Sequence, residues 1–282
     1  MGLLDCFDEH ETDRSSVVRS PLYYMGAKRG SLEIIHKHVP SCDTFVDVMC
    51  GSAQVLLSMP RRAKLEVLND RNAGAIALYR CLQNPQKKKE LQEAIDMMPH
   101  SRELFVDCKE TWMKEQDDVI RGAKWYYLIQ CSFAGKGICF GRTTKGYCNV
   151  WDKIHESMSL FQAVHERLQR VVIENQDWRT IFKDFDSHET VFYLDPPYFE
   201  SNVYYHNFSK ADHTEMCERI FDLKGTILLS GFKNEIYDRF PWDHRITVDL
   251  NQLIVNKGND HIEYNLPSTK GRREMLYIKE YE

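Results

Sequence analysis

An apolar run that ends in an acid and two prolines is the feature that most constrains this chain. Residues 191–194 (Val-Phe-Tyr-Leu) have the composition of a buried strand, and residues 195–198 (Asp-Pro-Pro-Tyr) follow directly. Because proline has no N–H to give to a sheet ladder, the strand must stop at Asp195. In open α/β sheets, ligands bind in the crevice outside the carboxyl ends of the strands. The sequence therefore predicts Asp195 at the edge of a ligand site.

The side chains at this strand end suit one kind of chemistry. The Asp195 carboxylate and the Pro196 carbonyl are hydrogen-bond acceptors that can hold a planar amino group. Pro197 stiffens the loop, and Tyr198 offers a flat face to a flat ring. We interpret these four residues as a catalytic site that polarises an amine on a heteroaromatic base. An ordinary strand-to-turn exit is the competing interpretation, and a proline-rich ligand for a WW-type domain is disfavoured because the prolines directly follow a core strand.

A second pair of strands predicts a nucleoside site. Residues 44–48 read as a strand that ends in a turn of small residues, including Gly51 and Ser52, before a short helix at 54–58. The next strand, 65–68, is followed by Asp70, and an acid at the tip of the second strand binds ribose hydroxyls in nucleoside-binding sheets. No G-x-G-x-x-G or Walker sequence occurs, so a pyrophosphate is not indicated. S-adenosyl-L-methionine fits a nucleoside ligand without a pyrophosphate.

Two further stretches border this predicted crevice. Residues 21–30 place aromatic rings, among them Tyr24, before a glycine turn and Lys28. We interpret them as a loop that reaches a cofactor, although a hydrophobic lead-in with a solvated lysine fits the same residues. Asp177 and Trp178 follow a strand at 171–173, where they could take the amino group and the face of an adenine or simply form a surface turn.

Charge restricts where nucleic acid could bind. The formal net charge is -5, so any nucleic-acid surface has to be local. Residues 119–151 contain Lys and Arg but no Asp or Glu, and their middle, 132–147, is a glycine-rich loop or hairpin with basic and aromatic side chains interleaved. We predict DNA contacts from Lys136, Arg142 and Lys145, with Arg suited to guanine edges and Lys to phosphates. A solvated loop is the alternative.

The remaining pattern is that of a globular α/β protein. Helical periodicity predicts helices at 31–39, 73–83, 85–98, 101–115, 119–130 and 155–169, and a short helix at 234–240. Ser31 could cap the first of them. The nine cysteines are scattered without metal-ligand spacing, which predicts reduced thiols, no metal and a cytoplasmic location. No membrane span or signal peptide is recognisable, and residues 1–19 are expected to be a mobile leader.

These stretches together resemble a known family. In order, they are Pro-Leu-Tyr-Tyr-Met-Gly-Ala-Lys, Phe-Val-Asp-Val-Met-Cys-Gly-Ser, Glu-Val-Leu-Asn-Asp, Ile-Glu-Asn-Gln-Asp-Trp, Tyr-Leu-Asp-Pro-Pro-Tyr and Leu-Leu-Ser-Gly-Phe. From about Pro21 onward the chain is similar to the Dam-like, D12-class adenine-N6 DNA methyltransferases, in particular their phage and prophage members. Some such enzymes belong to restriction-modification systems, and whether this one has a partner nuclease stays open.

The resemblance implies a Rossmann-like, S-adenosylmethionine-dependent methyltransferase sheet of the α/β class with an inserted helical or hairpin target-recognition region. The catalytic domain would comprise residues 20–83 and 169–282, and the insertion residues 84–168. The substrate would be a flipped-out adenine in double-stranded DNA, and no metal would be needed. The cofactor site implied by the resemblance and by the adjacent residues consists of Tyr24, Lys28, Asp47, Gly51, Ser52, Asp70, Asp177, Trp178 and Asp195.

One departure from the family pattern concerns the cofactor turn. Ala53 stands where the family usually has a second glycine, and Met49 and Cys50 replace the usual Phe and small residue. Cofactor affinity is the property that this departure affects. Methylation of cytosine N4 and a catalytically weak DNA-binding protein on the same scaffold are the alternative functions, and RNA substrates, the recognition sequence and the oligomeric state stay open.

Overall fold

The computed structural model describes residues 17–23, 28, 30–141, 150–198, 208–248 and 274–281. The strands are β1 Thr44–Asp47, β2 Leu65–Asn69, β3 Val171–Glu174, β4 Thr190–Leu194, β5 Thr226–Phe232, β6 His244–Val248 and β7 Glu274–Lys279. The α-helices are α1 Leu32–His38, α2 Gln54–Ser58, α3 Ala73–Gln83, α4 Pro85–Asp96, α5 Arg102–Thr111, α6 Asp118–Gln130, α7 Val150–Met158, α8 Phe161–Leu168, α9 Trp178–Phe185 and α10 Lys210–Asp222.

Within the described residues, the strands form one seven-stranded sheet in the order β3-β2-β1-β4-β5-β7-β6. Strands β1 to β5 pair in parallel, whereas β7 runs antiparallel between β5 and β6. The chain order reverses between β1 and β4, and a reversal of this kind creates a crevice at the carboxyl edge of the sheet. This arrangement confirms the predicted α/β fold class.

Two hydrophobic cores cover the two faces of the sheet. One core includes Phe45 of β1 and Tyr193 of β4 and extends through α3 and α6. The other includes Phe192 of β4 and packs against α9 and α10. Since alternate residues of a strand point to opposite faces, consecutive aromatic residues of β4 serve both cores. Both faces of β4 are therefore buried, which explains its continuous apolar composition.

The segment 84–168 shares a core with the sheet. Helix α6 packs closely on α3, because an added Cβ at Gly74 would lie 2.3 Å from the Trp125 ring and one at Gly122 would lie 3.2 Å from the Leu78 backbone nitrogen. The Gln130 side-chain amide also donates to the Pro21 carbonyl at 2.7 Å. The division into a catalytic domain and a target-recognition insertion remains a prediction, and these contacts indicate that the inner helices of the insertion support the sheet.

Several element boundaries differ from the prediction. The helix expected at 155–169 is two helices, α7 and α8, separated near Ser159, whose hydroxyl donates to the Glu156 carbonyl. Ser31 does not cap α1 with its side chain, because its hydroxyl donates to the Lys28 carbonyl instead. Helix α9 was not predicted: residues 177 and 178 were interpreted as cofactor contacts or as surface turn residues, whereas Asp177 caps this helix. The predicted helix at 234–240 is only a 3-10 turn, Tyr237–Arg239.

Other predicted elements are confirmed. Helix α3 has the predicted bounds, and β4 ends directly before Asp195 as the prolines require. Among the described residues, no helix combines the length and the apolar character that crossing a membrane would demand. The expected mobile leader, except for Val17, Val18 and Arg19, lies outside the described residues.

Candidate active site

The carboxyl ends of β1, β2 and β3 are tied together by one buried amide. The Asn69 side chain donates to the carbonyl of Val48 at 2.8 Å and to that of Gln176 at 3.2 Å. Its oxygen accepts the backbone N–H of Gln176 at 2.9 Å. Asn69 is 1% exposed, so these bonds are shielded from water and fix the loops that follow three adjacent strands.

The turn after β1 has the geometry of a close-approach loop. Gly51 and Ala53 both have positive φ angles, 48° and 53°. Glycine adopts this conformation freely, whereas alanine pays about 1 kcal/mol for it. This cost gives a physical reason for a second glycine at position 53, where this chain has alanine. Ser52, between them, is buried.

Asp70 anchors the same turn from the end of β2. Its carboxylate accepts the backbone N–H of Gly51 at 2.8 Å and that of Asn72 at 2.7 Å. The Asn72 side chain in turn accepts from the first N–H groups of α3. These bonds fix the Asp70 carboxylate beside the turn, at the carboxyl edge of the sheet.

Asp47 is a buried carboxylate at the end of β1. It is 1% exposed, and its Oδ1 atom accepts no hydrogen bond from any other described residue. Burial raises the pKa of Asp47 well above its ordinary value, and the nearby carboxylates of Asp195 and Asp70 raise it further. A buried acceptor without a donor is costly unless a ligand supplies one. Asp47 is therefore suited to a cationic or hydrogen-bond-donating ligand.

Lys28 connects to the catalytic strand end through its ammonium group. The Lys28 Nζ atom lies 2.7 Å from Asp195 Oδ1 and 3.2 Å from Glu274 Oε1. It also donates to the Tyr198 hydroxyl at 2.8 Å, and that hydroxyl lies 3.3 Å from Glu274 Oε1. We call these four residues the lysine cluster. Burial lowers the pKa of Lys28, but the carboxylates around it outweigh this effect and raise the pKa well above its ordinary value.

Burial and neighbouring charges have opposing effects on the pKa of Asp195. Burial raises the pKa of its carboxyl to about 6, while Lys28 lowers it and Glu274 raises it. A carboxyl with this pKa is mostly ionised at neutral pH and able to accept hydrogen bonds. Behind it, the Tyr193 hydroxyl donates to Ser230 at 3.1 Å.

The Tyr198 ring is held by Phe232 of β5. The two ring centroids lie 4.2 Å apart with a 35° tilt, and the Lys28 Nζ atom lies 4.9 Å from the centre of the Tyr198 ring. Contacts of this kind are favourable for aromatic rings. The ring orientation is thus set by β5 and by the lysine cluster together.

Asp177 and Trp178 have structural partners. Asp177 accepts the backbone N–H of Arg179 at 3.0 Å and pairs with its guanidinium at 3.1 Å. Trp178 is 5% exposed and packs against Phe182, with ring centroids 5.2 Å apart. Helix capping and core packing therefore account for both side chains, and their contact with a cofactor stays a prediction.

The predicted DNA surface is described in part. Lys136 is half-buried in a loop whose stem is closed by an antiparallel bridge between Ser132 and Phe140. Phe133 is 72% exposed beside it, and Ile138 is 44% exposed. Arg142, Lys145 and, in the cofactor loop, Tyr24 lie outside the described residues.

Two site residues were missed from the sequence. Asn69 was noted only as a strand end, and Glu274 was not considered because a single acid before an apolar strand carries no motif. The available signal for Glu274 was an acid directly before the apolar residues of the strand Glu-Met-Leu-Tyr-Ile-Lys. The sheet buries this acid. Within the described part of the chain, no group of three or more His, Cys, Asp or Glu side chains is placed to hold a metal ion.

The sheet order, the small-residue turn and Asp195 at the end of β4 accord with an α/β methyltransferase. The family model for the D12 class N6 adenine-specific DNA methyltransferases matches residues 24–236. The chain belongs to this family, and it is an adenine-specific DNA methyltransferase. This assignment selects adenine N6 over the alternative of cytosine N4.

Other comparisons are less informative. No curated protein is significantly similar in sequence. Among solved structures, the chain is similar to the rRNA methyltransferase AviRa from Streptomyces viridochromogenes, with a TM-score of 0.37 and 10% identity over 88% of this chain and 83% of that one. At this level the likeness says nothing about substrate. The resemblance to phage members of the family and a link to restriction-modification stay predictions.

Proposed function

We propose that the chain transfers the methyl group of S-adenosyl-L-methionine to the N6 amine of an adenine flipped out of double-stranded DNA, with Asp195 and Pro196 as the amine acceptors. The observation that carries this proposal is the placement of Asp195 at the carboxyl end of β4, paired with the buried Lys28 at 2.7 Å. Adenine N6 in a duplex is base-paired, so the base must leave the stack at a cost of a few kcal/mol.

The residues around the β1 turn fit the proposed cofactor. We assign the ribose to Asp70, an acid at the end of the second strand whose carboxylate lies beside the turn at Gly51. Asp47, with a buried oxygen that lacks a donor among the described residues, would face a positive charge of the cofactor. Gly51 and Ser52 would let the backbone approach it closely, and Tyr24, Lys28, Asp177 and Trp178 complete the proposed set. When bound, S-adenosylmethionine supplies an electrophilic methyl group on a sulfonium.

The residues of β4 and its loop then prepare the amine. The Asp195 carboxylate and the Pro196 carbonyl accept the two N6 hydrogens, which directs the nitrogen lone pair toward the methyl donor. Pro197 keeps the loop rigid, and Tyr198 stacks on the adenine ring, which recovers about 1 to 3 kcal/mol. Because orientation and charge provide the acceleration, the proposed mechanism needs no metal and no covalent enzyme intermediate.

We assign the DNA surface to Lys136, Arg142 and Lys145. The exposed Phe133 and Ile138 next to Lys136 support this assignment, as does the absence of acids from residues 119–151 in an acidic protein. A cytoplasmic location accords with the free thiols of the described cysteines. Replacement of Lys136 by Ala should weaken binding equally to all duplex sequences and reduce the salt dependence of log K by about one unit of slope.

The test of the proposed function is methyl transfer to DNA followed by nucleoside analysis. Wild-type protein should form N6-methyladenine in unmethylated duplex DNA, and Asp195→Ala should form none while keeping its fold. If the Ala variant retained near-full activity, the assignment of the amine acceptor would be wrong. A lack of transfer by folded wild-type protein that still binds DNA would favour the alternative of a catalytically weak DNA-binding protein.

A further inference from the structure

The lysine cluster contains one cation between two carboxylates. Glu274, at the first position of β7, is 5% exposed and lies in register with Phe232 of β5 and Val248 of β6. Its Oε1 atom lies 3.2 Å from Lys28 Nζ and 3.3 Å from the Tyr198 hydroxyl. Strand β7 lies between β5 and β6, and a carboxylate buried there is costly unless it has a partner of opposite charge. Lys28 is that partner.

Asp195 shares the same ammonium group. An ammonium has three N–H donors, and Lys28 lies within hydrogen-bond distance of Asp195 at 2.7 Å, Tyr198 at 2.8 Å and Glu274 at 3.2 Å. In this arrangement an oxygen of Asp195 is paired with Lys28. A target amine that approaches this oxygen therefore has to compete with Lys28 for it.

The two carboxylates of the lysine cluster change the outcome of this competition. If Asp195 were the only counter-ion, a target amine would leave a buried ammonium unpaired, which is strongly unfavourable. With Glu274 present, the ammonium can give up the 2.7 Å contact to Asp195 and keep its contacts to Glu274 and to the Tyr198 hydroxyl. The cluster thus has two ways to satisfy the same cation.

We propose that Glu274 is a positioning residue for methyl transfer: it retains the Lys28 ammonium while Asp195 turns to the target amine. This inference rests on the proposed role of Asp195 as the amine acceptor. Before the target amine binds, Lys28 is paired with Asp195. When the amine replaces Lys28 at Asp195, Lys28 keeps its ion pair with Glu274. No bond is made or broken in this step, and no proton is exchanged.

The first test is a double-mutant cycle at Glu274 and Lys28, in which single-turnover rates of methyl transfer are compared. Glu274→Gln keeps the size of the side chain but leaves Asp195 as the remaining carboxylate of the lysine cluster, so the rate should fall about tenfold or more. Glu274→Asp keeps the charge and should recover most of the rate. In a Lys28→Met background, Glu274→Gln should have no additional effect, because no cation remains to be held.

A matched control separates this role from a purely structural one. Glu66 is another buried carboxylate, 1% exposed, and it pairs with Arg167 at 2.6 Å near the start of β2, away from the crevice. Glu66→Gln should reduce thermal stability without slowing single-turnover transfer. If the effects of Glu274→Gln and Lys28→Met on the rate were additive, or if Glu274→Gln were as active as Glu66→Gln, the positioning role would be wrong.

A second measurement does not depend on activity. The Asp195 carboxyl can be titrated by carbon-13 NMR, with Asp195→Asn used to assign its resonance. Among the described residues, its charged and titratable neighbours are Lys28 before α1, Asp47 at the end of β1, Tyr193 on β4, Tyr198 in the following loop, Tyr237 after β5 and Glu274 on β7.

The two variants should move the Asp195 titration in opposite directions. Glu274→Gln removes a negative neighbour and frees Lys28 to pair with Asp195, so the pKa of Asp195 should fall below about 6. Lys28→Met removes the positive neighbour, so this pKa should rise. An unchanged or raised pKa in Glu274→Gln would overturn the shared-cation arrangement. If wild-type protein transferred no methyl group, the proposed function would fail, yet the titration would still decide whether Lys28 is shared.

Discussion

Replacement of Asp195 by Asn should slow methyl transfer without lowering the stability of the fold. The change keeps the shape of the side chain and one carbonyl acceptor but removes the negative charge. A positioned acid or base group contributes about 100-fold to 10,000-fold to a proton-coupled reaction, and the ionised carboxylate of Asp195 is the charged group that would meet the N6 amine. We therefore expect the transfer rate of Asp195→Asn to fall by at least about 100-fold.

The same substitution should not weaken the fold. The pKa of Asp195 is about 6 rather than the ordinary 3.8, and this difference corresponds to a cost of up to about 3 kcal/mol for keeping the group ionised in the folded protein at neutral pH. Because the folded pKa is raised, the cost is absent below about pH 4 and grows to its full value as the pH rises through 6. Asn avoids this cost, and Lys28 keeps Glu274 as a partner at 3.2 Å.

Urea unfolding at pH 7 and pH 4, together with labelled methyl transfer, tests both parts. Asp195→Asn should be as stable as wild type or more stable at pH 7, and the difference should shrink at pH 4. Asp186→Asn is a matched control, because Asp186 accepts backbone N–H groups of Lys224 and Gly225 before β5, at the opposite edge of the sheet. That variant should remain active. A nearly active Asp195→Asn, or one destabilised by several kcal/mol, would refute the reasoning.

Four further outcomes are expected. The single-turnover rate of wild type should decline as the pH falls through about 6, because Asp195 becomes protonated and loses its acceptor charge; a flat rate between pH 5 and 8 would contradict this role. Tyr198→Phe should keep most of the activity, whereas Tyr198→Ala should lose about 1 to 3 kcal/mol of stacking, measured as a 5-fold to 150-fold drop in kcat/KM for DNA. Asp70→Ala should weaken S-adenosylmethionine binding about tenfold or more by calorimetry, and equal affinity would remove Asp70 from the cofactor site. Glu66→Ala should lower the free energy of unfolding by about 3 to 5 kcal/mol because it removes the carboxylate that pairs with Arg167, and a loss below 1 kcal/mol in urea unfolding would contradict that.

Much of the fold could be predicted because local chemistry and tertiary structure agree in this chain. The two prolines after Asp195 end β4 where predicted, and the small residues after β1 form a turn with positive φ at Gly51. Helix α9 was missed because its signal is short: Asp177 caps it, but the same acid after a strand also fits a ligand site. A single residue with two plausible roles cannot be resolved without knowledge of its neighbours.

The candidate site could be predicted only along the strand ends. Asp47 ends a parallel strand, and Asp70 and Asp195 directly follow two others, so their approach to one another is a consequence of the sheet. Glu274 approaches Lys28 because β7 inserts antiparallel beside β5, and no spacing in the sequence specifies that insertion. The burial of Trp178 could not be predicted from the sequence either, because it depends on packing against α10 and Phe208.

The central claim is that this chain methylates adenine N6 in DNA at a defined sequence. The most direct measurement is transfer of labelled methyl from S-adenosylmethionine to unmethylated genomic DNA, followed by nucleoside digestion and single-molecule sequencing of the modified sites. We predict N6-methyladenine at one short sequence with wild type, and none with Asp195→Ala. Label on cytosine N4, or no label from folded wild-type protein at saturating cofactor, would contradict the claim.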